Sequence, residues 1–271
     1  MTKQEIIVQT RKKLFLNIFG EHNSDYGGNG LDFKEIKEYT SDDDVRHINW
    51  KRTAQTQTAC VNSYIETKQL NVVLVYLNGG SLEYGVQKQK REIAKEVLTS
   101  LSFAVTRNSD NLTTIFYNDG EDKYLQTTKS KTIVDINYDL ASSIKHLGNK
   151  IDYTNLSHYL LHKIKQKSII FLIGDFLEDI DLSFLASKHE VYCVIVRDKS
   201  EENLNLKGNF SIKDTTTLLT SLINIDKQTS KKYNALIKQH DNKLQNHFKK
   251  ANIRYVKIYT NDDTIGKLCQ I

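Results

Sequence analysis

The sequence predicts an α/β fold: a doubly wound, mostly parallel sheet flanked by helices, preceded by a small β-rich subdomain. Three observations carry this. Val72–Leu77 (VVLVYL), Ser168–Ile173 (SIIFLI) and Glu190–Val196 (EVYCVIV) are short unbroken apolar runs, as in strands buried on both faces. Stretches with apolar residues at helical spacing separate them. The first 69 residues lack that alternation and concentrate Gly and charge instead. The expected division is therefore 1–69 and 70–271.

Taken in order, residues 5–19 read as an amphipathic helix with Ile6, Ile7, Leu14, Ile18 and Phe19 inward. Packing on the body is the plain reading, and lying on a membrane surface the minor one. Gly20–Gly30 holds four Gly and reads as a loop. Leu31, Phe33 and Ile36 form a short apolar element. Asp42, Asp43 and Asp44 then stand together, with Arg46, His47, Lys51 and Arg52 as counter-charges. Adjacent carboxylates repel unless paired. The plain reading is an ion-paired loop, Arg46 with Asp43 or Asp44, buttressing a buried Trp50; the functional one is a charged surface that docks a partner. Residues 58–66 read as a strand with Cys60 or Val61 inward, and the whole 20–55 stretch is expected to pack on the sheet domain.

Beyond residue 70, the first buried strand leads through Asn78–Ser81 into a long helix over 86–107. A strand over 112–117, a turn at Asn118–Glu121 and helices over 133–144 and 156–164 follow. After the strands near 170 and 193 comes a helix with Tyr233, Leu236, Ile237, Leu244 and Phe248 on one stripe, then a last strand over 253–259.

Composition narrows the function. The chain has 39% hydrophobic and 26% charged residues and a net charge of +5, normal for a globular protein and too mild to imply nucleic acid. The lysines of the 231–250 helix read as a solvated face, with no aromatic platform among them. Three scattered Cys favour free thiols and a cytoplasmic location over a disulfide framework. No stretch approaches the apolar length of a membrane span, although peripheral association stays open. The absence of Pro reads as compositional bias.

In doubly wound sheets ligands bind at the carboxyl ends of the strands. Asn78–Ser81, Thr154–Ser157 and Asp175 are expected there. One carboxylate with hydroxyls is thin for a divalent ion. GxxxxGK[ST], HExxH and GxSxG are all absent. His158 and His162 share a helix face but lack a third ligand.

Gly20-Glu21-His22, Ser24, Gly28, Gly30, Asp32-Phe33, Tyr39, Asp43-Asp44-Val45-Arg46, Ile48, Trp50 and Ala54 match one bacterial pattern in order and spacing. The chain resembles the domain-of-unknown-function family number fifty-eight. That resemblance implies a von Willebrand A-like domain accompanying a MoxR-type AAA+ ATPase, with a further von Willebrand A protein as a second partner. His22, Ser24, Asp43, Asp44, Arg46 and Trp50 become candidates for the partner surface. It also implies a metal loop of the form Asp-x-Ser-x-Ser, from which this chain departs. The segment LNGGSLEYG puts Leu77 or Asn78 where the Asp belongs, leaving Ser81, Thr154 and Asp175 as a degenerate set that requires no cofactor and holds Mg²⁺ weakly at most. Asn49 and Gln55 replace the pattern's Asp and Arg and are expected to be coupled. Two classes follow: a non-enzymatic adaptor for assembly or maturation of a client complex, or a metal-dependent phosphoesterase or nuclease using Asp175 with the 42–44 carboxylates.

Overall fold

The computed structural model describes residues 4–7, 27–28, 32–65 and 69–270. Contacts divide the chain into two compact units, Phe19–Gln69 and Leu70–Ile271 with Met1–Ile18. His22, Ser24 and most of the expected first helix lie outside the described residues. Of that helix, residues 4–7 are helical and Ile6 is fully buried.

The smaller unit is an antiparallel sheet in the order β1–β3–β2, built from β1 (Gly27–Gly28), β2 (Asp32–Glu38) and β3 (Cys60–Ile65). β2 and β3 pair from Asp32↔Ile65 to Glu38↔Cys60, with a register shift between Phe33 and Glu35. Cys60 and Val61 are both buried. A short helix, α1 (Trp50–Thr56), sits in the connection. Asn49 caps it, accepting from the Arg52 N–H at 3.0 Å, while the Asn49 amide donates to Asn62 Oδ1 at 2.9 Å. Asn49 and Gln55 do not bond each other directly, but both accept from Arg52, Gln55 from Nη1 at 3.4 Å.

Trp50 corrects the sequence reading. It is 72% exposed, the first residue of a helix with no buried side chain. The charged loop beside it therefore does not buttress a buried indole.

The larger unit is built on a six-stranded sheet in the order β11–β8–β7–β4–β5–β6. Its strands are β4 (Asn71–Leu77), β5 (Asn111–Tyr117), β6 (Glu121–Thr128), β7 (Ile169–Gly174), β8 (Glu190–Arg197) and β11 (Arg254–Tyr259). All pairings are parallel except β5 with β6, a hairpin turned by the Asn118–Gly120 segment. The apolar runs fill β4, β7 and β8, whose residues are nearly all buried.

Helix α2 (Lys90–Arg107) packs with α3 (Thr132–Ser143) and α8 (Thr264–Leu268). It begins later than the sequence suggests, because Val86–Gln89 is a loop whose Val86 N–H bonds Asp198 at 3.3 Å. The other core is lined by α4 (Tyr153–Lys163), α5 (Ser183–Lys188) and the second half of α7 (Lys227–Lys250), through Leu156, Leu160, Leu185, Leu244 and Phe248. The expected stripe on α7 is only half right: Leu244 and Phe248 are buried, but Tyr233 and Leu236 are exposed. Between β8 and α7 lie a one-turn helix α6 (Lys199–Glu202) and an antiparallel hairpin, β9 (Gly208–Lys213) and β10 (Thr220–Ile225).

No helix among the described residues is long and apolar enough to cross a membrane. Because the chain holds a single Trp, its fluorescence reports Trp50 alone. Emission is expected at the long wavelength of a hydrated indole and to be quenched readily by acrylamide. A blue-shifted emission resistant to quenching would contradict the exposed position.

Candidate functional site

From β4 the sheet grows one way through β5 and β6 and the other way through β7, β8 and β11. The connections therefore diverge at the β4–β7 pair and leave a crevice above their carboxyl ends. Asn78–Ser81 follows β4 and Asp175 follows β7, as expected, whereas Thr154–Ser157 lies within α4 (Tyr153–Lys163) and follows no strand. The loop after β4 turns sharply into a 3₁₀ turn, Gly80–Glu83. Gly80 donates its N–H to Asn149 O at 2.9 Å, and a Cβ there would collide with the Thr215 carbonyl, so the close approach requires Gly. Gly148 in turn donates to Thr215 O at 2.9 Å. The β9–β10 loop thus seats on two loops at the crevice.

Asp175 is buried and surrounded by donors. The Ser81 hydroxyl bonds it. The Tyr153 hydroxyl donates to Oδ1 at 3.3 Å, and Lys90 Nζ lies 3.2 Å from Oδ2. Lys90 Nζ also lies 2.6 Å from Glu201 Oε1, and its side chain is completely buried. Glu201 is fixed at its other oxygen, which accepts from the Asp198 N–H at 3.0 Å in the capping box of α6. The crevice thus holds an ammonium clasped between two carboxylates.

A second ionic layer adjoins it. Arg197, fully buried at the end of β8, donates from Nε to the Asp175 carbonyl at 2.6 Å and from Nη2 to the Phe176 carbonyl at 3.1 Å. The same Nη2 lies 3.3 Å from Asp241, which also meets Lys257 Nζ at 2.6 Å. Lys257 bonds Glu202 at 2.7 Å, and Glu202 accepts from the Tyr259 hydroxyl at 2.8 Å. These contacts tie α6, α7 and β11 to the crevice wall.

Burial alone would raise the Asp175 pKa. The charge of Lys90, the Ser81 hydroxyl and the charge of Arg197 outweigh it and hold the carboxyl below its ordinary value of 3.8. Burial, then the Asp175 charge, push the Tyr153 hydroxyl well up, so it stays a protonated donor.

The remaining candidates fall differently. Thr154 is exposed in the first turn of α4 and lines an adjoining cleft of about 430 Å³ with Asp179, Ile180, Lys243 and His247. Its neighbour Tyr153, not Thr154, reaches Asp175. Asn78 is fully buried and turns its amide to Asp122 at 3.0 Å, away from Asp175. Among the described residues no group of three or more His, Cys, Asp or Glu side chains is arranged to hold a metal. Sequence reasoning missed Lys90, Tyr153, Glu201 and Arg197. The only signals were a Lys opening an apolar-striped helix and an Arg closing a buried strand.

In the smaller unit the charged loop is paired as expected. Arg46 grips Asp44 through Nε at 3.1 and 3.0 Å and through Nη2 at 2.6 Å. Asp43 pairs with Lys37 at 2.7 Å and accepts from Thr40 N–H at 3.0 Å and Oγ1 at 2.8 Å. Their pKa values fall to about 2, chiefly through Lys37 at Asp43 and Arg46 at Asp44. Both pairs are exposed, so they add little stability at neutral pH.

A family model described as "Protein of unknown function DUF58" matches residues 35–243. The chain belongs to the DUF58 family. The uncharacterized protein Rv1480 of Mycobacterium tuberculosis (strain ATCC 25618 / H37Rv) is 24% identical over 229 residues, covering 80% of this chain and 70% of its own. The uncharacterized protein Mb1516 of Mycobacterium bovis matches to the same extent. Among solved structures, the conserved hypothetical protein BatB from Bacteroides thetaiotaomicron aligns with a TM-score of 0.49 at 12% identity, over 74% of this chain and 96% of that one. An aerotolerance-related membrane protein from Bacteroides fragilis NCTC 9343 aligns with a TM-score of 0.46 at 13% identity, over 74% and 95%.

Removing the ammonium leaves two carboxylates in the crevice without their shared counter-ion. Lys90→Met is expected to cost ~3–5 kcal/mol in urea unfolding, the cost of breaking a buried pair. An unchanged unfolding midpoint would show that the clasp contributes nothing. Because the Asp175 pKa is lowered in the folded state, its stabilisation is fully present above the ordinary value of 3.8 and is lost as pH falls through the lower folded value. Wild-type stability is therefore expected to drop more steeply than that of Asp175→Asn as pH falls from about 3.8 through the lower folded value.

Proposed function

We propose that this DUF58 protein is a non-enzymatic interaction module whose crevice is stabilised by an internal ammonium in place of a divalent ion. One observation carries the reading: Lys90 Nζ sits 3.2 Å from Asp175 and 2.6 Å from Glu201, wholly buried. A divalent ion beside Asp175 would have to displace that ammonium or bear its repulsion at close range. Beyond Glu201, which Lys90 already neutralises, the residues flanking Asp175 supply no further anion. Leu77 is aliphatic, Asn78 is committed to Asp122, and Ser81 is neutral. Hard cations need several oxygen ligands, preferably anionic. The residues present do not fit Mg²⁺, and no chemical step is assigned to one.

The finer reading is a von Willebrand A-like module with a degenerate metal site. It works with a MoxR-type AAA+ ATPase, and with a further von Willebrand A protein, in assembling or maturing a client complex in the cytoplasm. Support comes from membership of the DUF58 family and from the family resemblance of the 20–54 motif. Arg46, Asp43, Asp44 and the exposed Trp50 are the proposed contacts of the smaller unit. A large exposed aromatic beside fixed charges is the composition of an interface centre.

Titration calorimetry with MgCl₂ and MnCl₂ at millimolar concentration is expected to show no site-specific heat in the wild-type chain. Affinity purification from the native cell is expected to retain a AAA+ ATPase, and Trp50→Ala to reduce its recovery. Saturable divalent binding with metal-dependent hydrolysis of a phosphodiester, lost in Asp175→Ala, would replace this reading with the hydrolase.

A further inference from the structure

The β9–β10 hairpin stands apart from the six-stranded sheet. Its two strands pair regularly from Lys213↔Thr220 to Gly208↔Ile225, and no third strand joins them among the described residues. A lone two-stranded sheet is marginal in water, and its free edges are templates for another strand. Natural edges are commonly blunted by Lys, Pro or a bulge. β10, Thr-Ser-Leu-Ile-Asn-Ile, has none of these: it carries no charge, no Pro and no register shift. It is also the apolar strand of the pair, with Leu222 86% exposed and Leu219, just before it, 69% exposed. The adjoining loop is anchored through Thr215 O to Gly148, so the edge is held in place while left uncovered.

Charge separates the occupants such an edge invites. Between Leu204 and His240 there are six lysines (207, 213, 227, 231, 232 and 238) and two aspartates. Both aspartates are spent on backbone turns: Asp214 accepts from the Thr216 N–H at 2.7 Å and Asp226 from the Thr229 N–H at 2.7 Å. None of the six lysines forms an ion pair with a described residue. Two copies of this chain joined edge to edge would bring the lysines flanking β10, Lys213 and Lys227, toward those of the second copy. An anionic bilayer would match the charge but would leave the N–H and C=O groups of the edge unpaired in an apolar medium. An extended acidic protein segment satisfies both requirements.

We infer that the free edge of β10 is a strand-addition site for an extended, acidic segment of a partner protein. The partner's backbone continues the ladder beyond β10. Its alternate apolar side chains lie beside Leu222, and its Asp or Glu residues face the lysines that flank β10, Lys213 opposite Thr220 and Lys227 two residues past Ile225. This inference does not rest on the reading of the crevice.

The test is selection of random displayed dodecapeptides on the full chain, with counter-selection on Leu222→Glu, which sets a guarding negative charge on the edge strand. Enriched peptides are expected to alternate apolar residues and to carry a net negative charge. Measured by fluorescence anisotropy, they are expected to bind the wild type at least about tenfold more tightly than Leu222→Glu, since a charge on the strand guards the edge and a negative one repels an acidic segment. Affinity is expected to fall with salt and to vanish when alternate peptide nitrogens are methylated. If Leu222→Glu lost the wild-type circular dichroism spectrum, Thr220→Glu, exposed on the same strand, would replace it. The proposal is overturned if no peptide is enriched, if binding survives the guarding substitution or N-methylation, or if the selected peptides are not acidic. It is equally overturned if the substitution abolishes instead a self-association or a sedimentation with phosphatidylglycerol vesicles.

Discussion

A fully buried ammonium must be enclosed by anions, because desolvating an unpaired charge costs far more than a fold can supply. Lys90 meets that requirement with Asp175 from the end of β7 and Glu201 from α6. These residues come from three separated places in the chain, and their meeting fixes what surrounds them. α2 begins where Lys90 can reach the crevice. α6 is oriented because Glu201 both grips Lys90 and closes its own capping box with Asp198. Asp198 in turn accepts from Thr260 at 2.7 Å and from Val86, joining the loop before α2 to the strand ends. Replacing such a buried cluster by well-packed apolar groups can be neutral, but removing one member is not. The cluster therefore locks a geometry more than it adds stability.

The neighbouring layer extends the same logic outward. Arg197 uses backbone carbonyls of the β7 loop as acceptors and so ties β8 to the residue that faces Lys90. Asp241 and Lys257 carry the chain of charges to α7 and β11. Above them the β9–β10 loop seats on Gly80, where only a residue without Cβ fits. The part of α7 beside this region is less constrained: Tyr233 and Leu236 reach solvent, whereas Leu244 and Phe248 enter the core. Order at the crevice and exposure at the hairpin thus lie close in sequence, and they suit different roles.

Much of the larger unit was legible in the sequence, because burial on both faces leaves a local signature. VVLVYL, SIIFLI and EVYCVIV read as parallel strands and are so. Asp175 and Ser81 were legible as neighbours because strand-end loops converge in such sheets. Lys90 was not, since a Lys opening an amphipathic helix looks solvated and its partner Glu201 lies 111 residues away. Thr154 followed from the family resemblance, but a one-residue difference on α4 decides which side chain turns inward, and it is Tyr153. Trp50 was misjudged on residue type alone: the largest apolar side chain is usually covered, but here it opens an uncovered helix. The β9–β10 hairpin left little trace, as its mixture of polar and apolar residues has no buried face to impose a period.

The most direct measurement of the crevice is a crystal structure of the chain grown in millimolar MnCl₂, with data collected for the anomalous signal of manganese. The expected map has no anomalous peak beside Asp175 and clear density for the Lys90 side chain between Asp175 and Glu201. A manganese peak within bonding distance of Asp175 and Ser81, with Lys90 turned out of the crevice, would contradict the internal ammonium as the cation of this site.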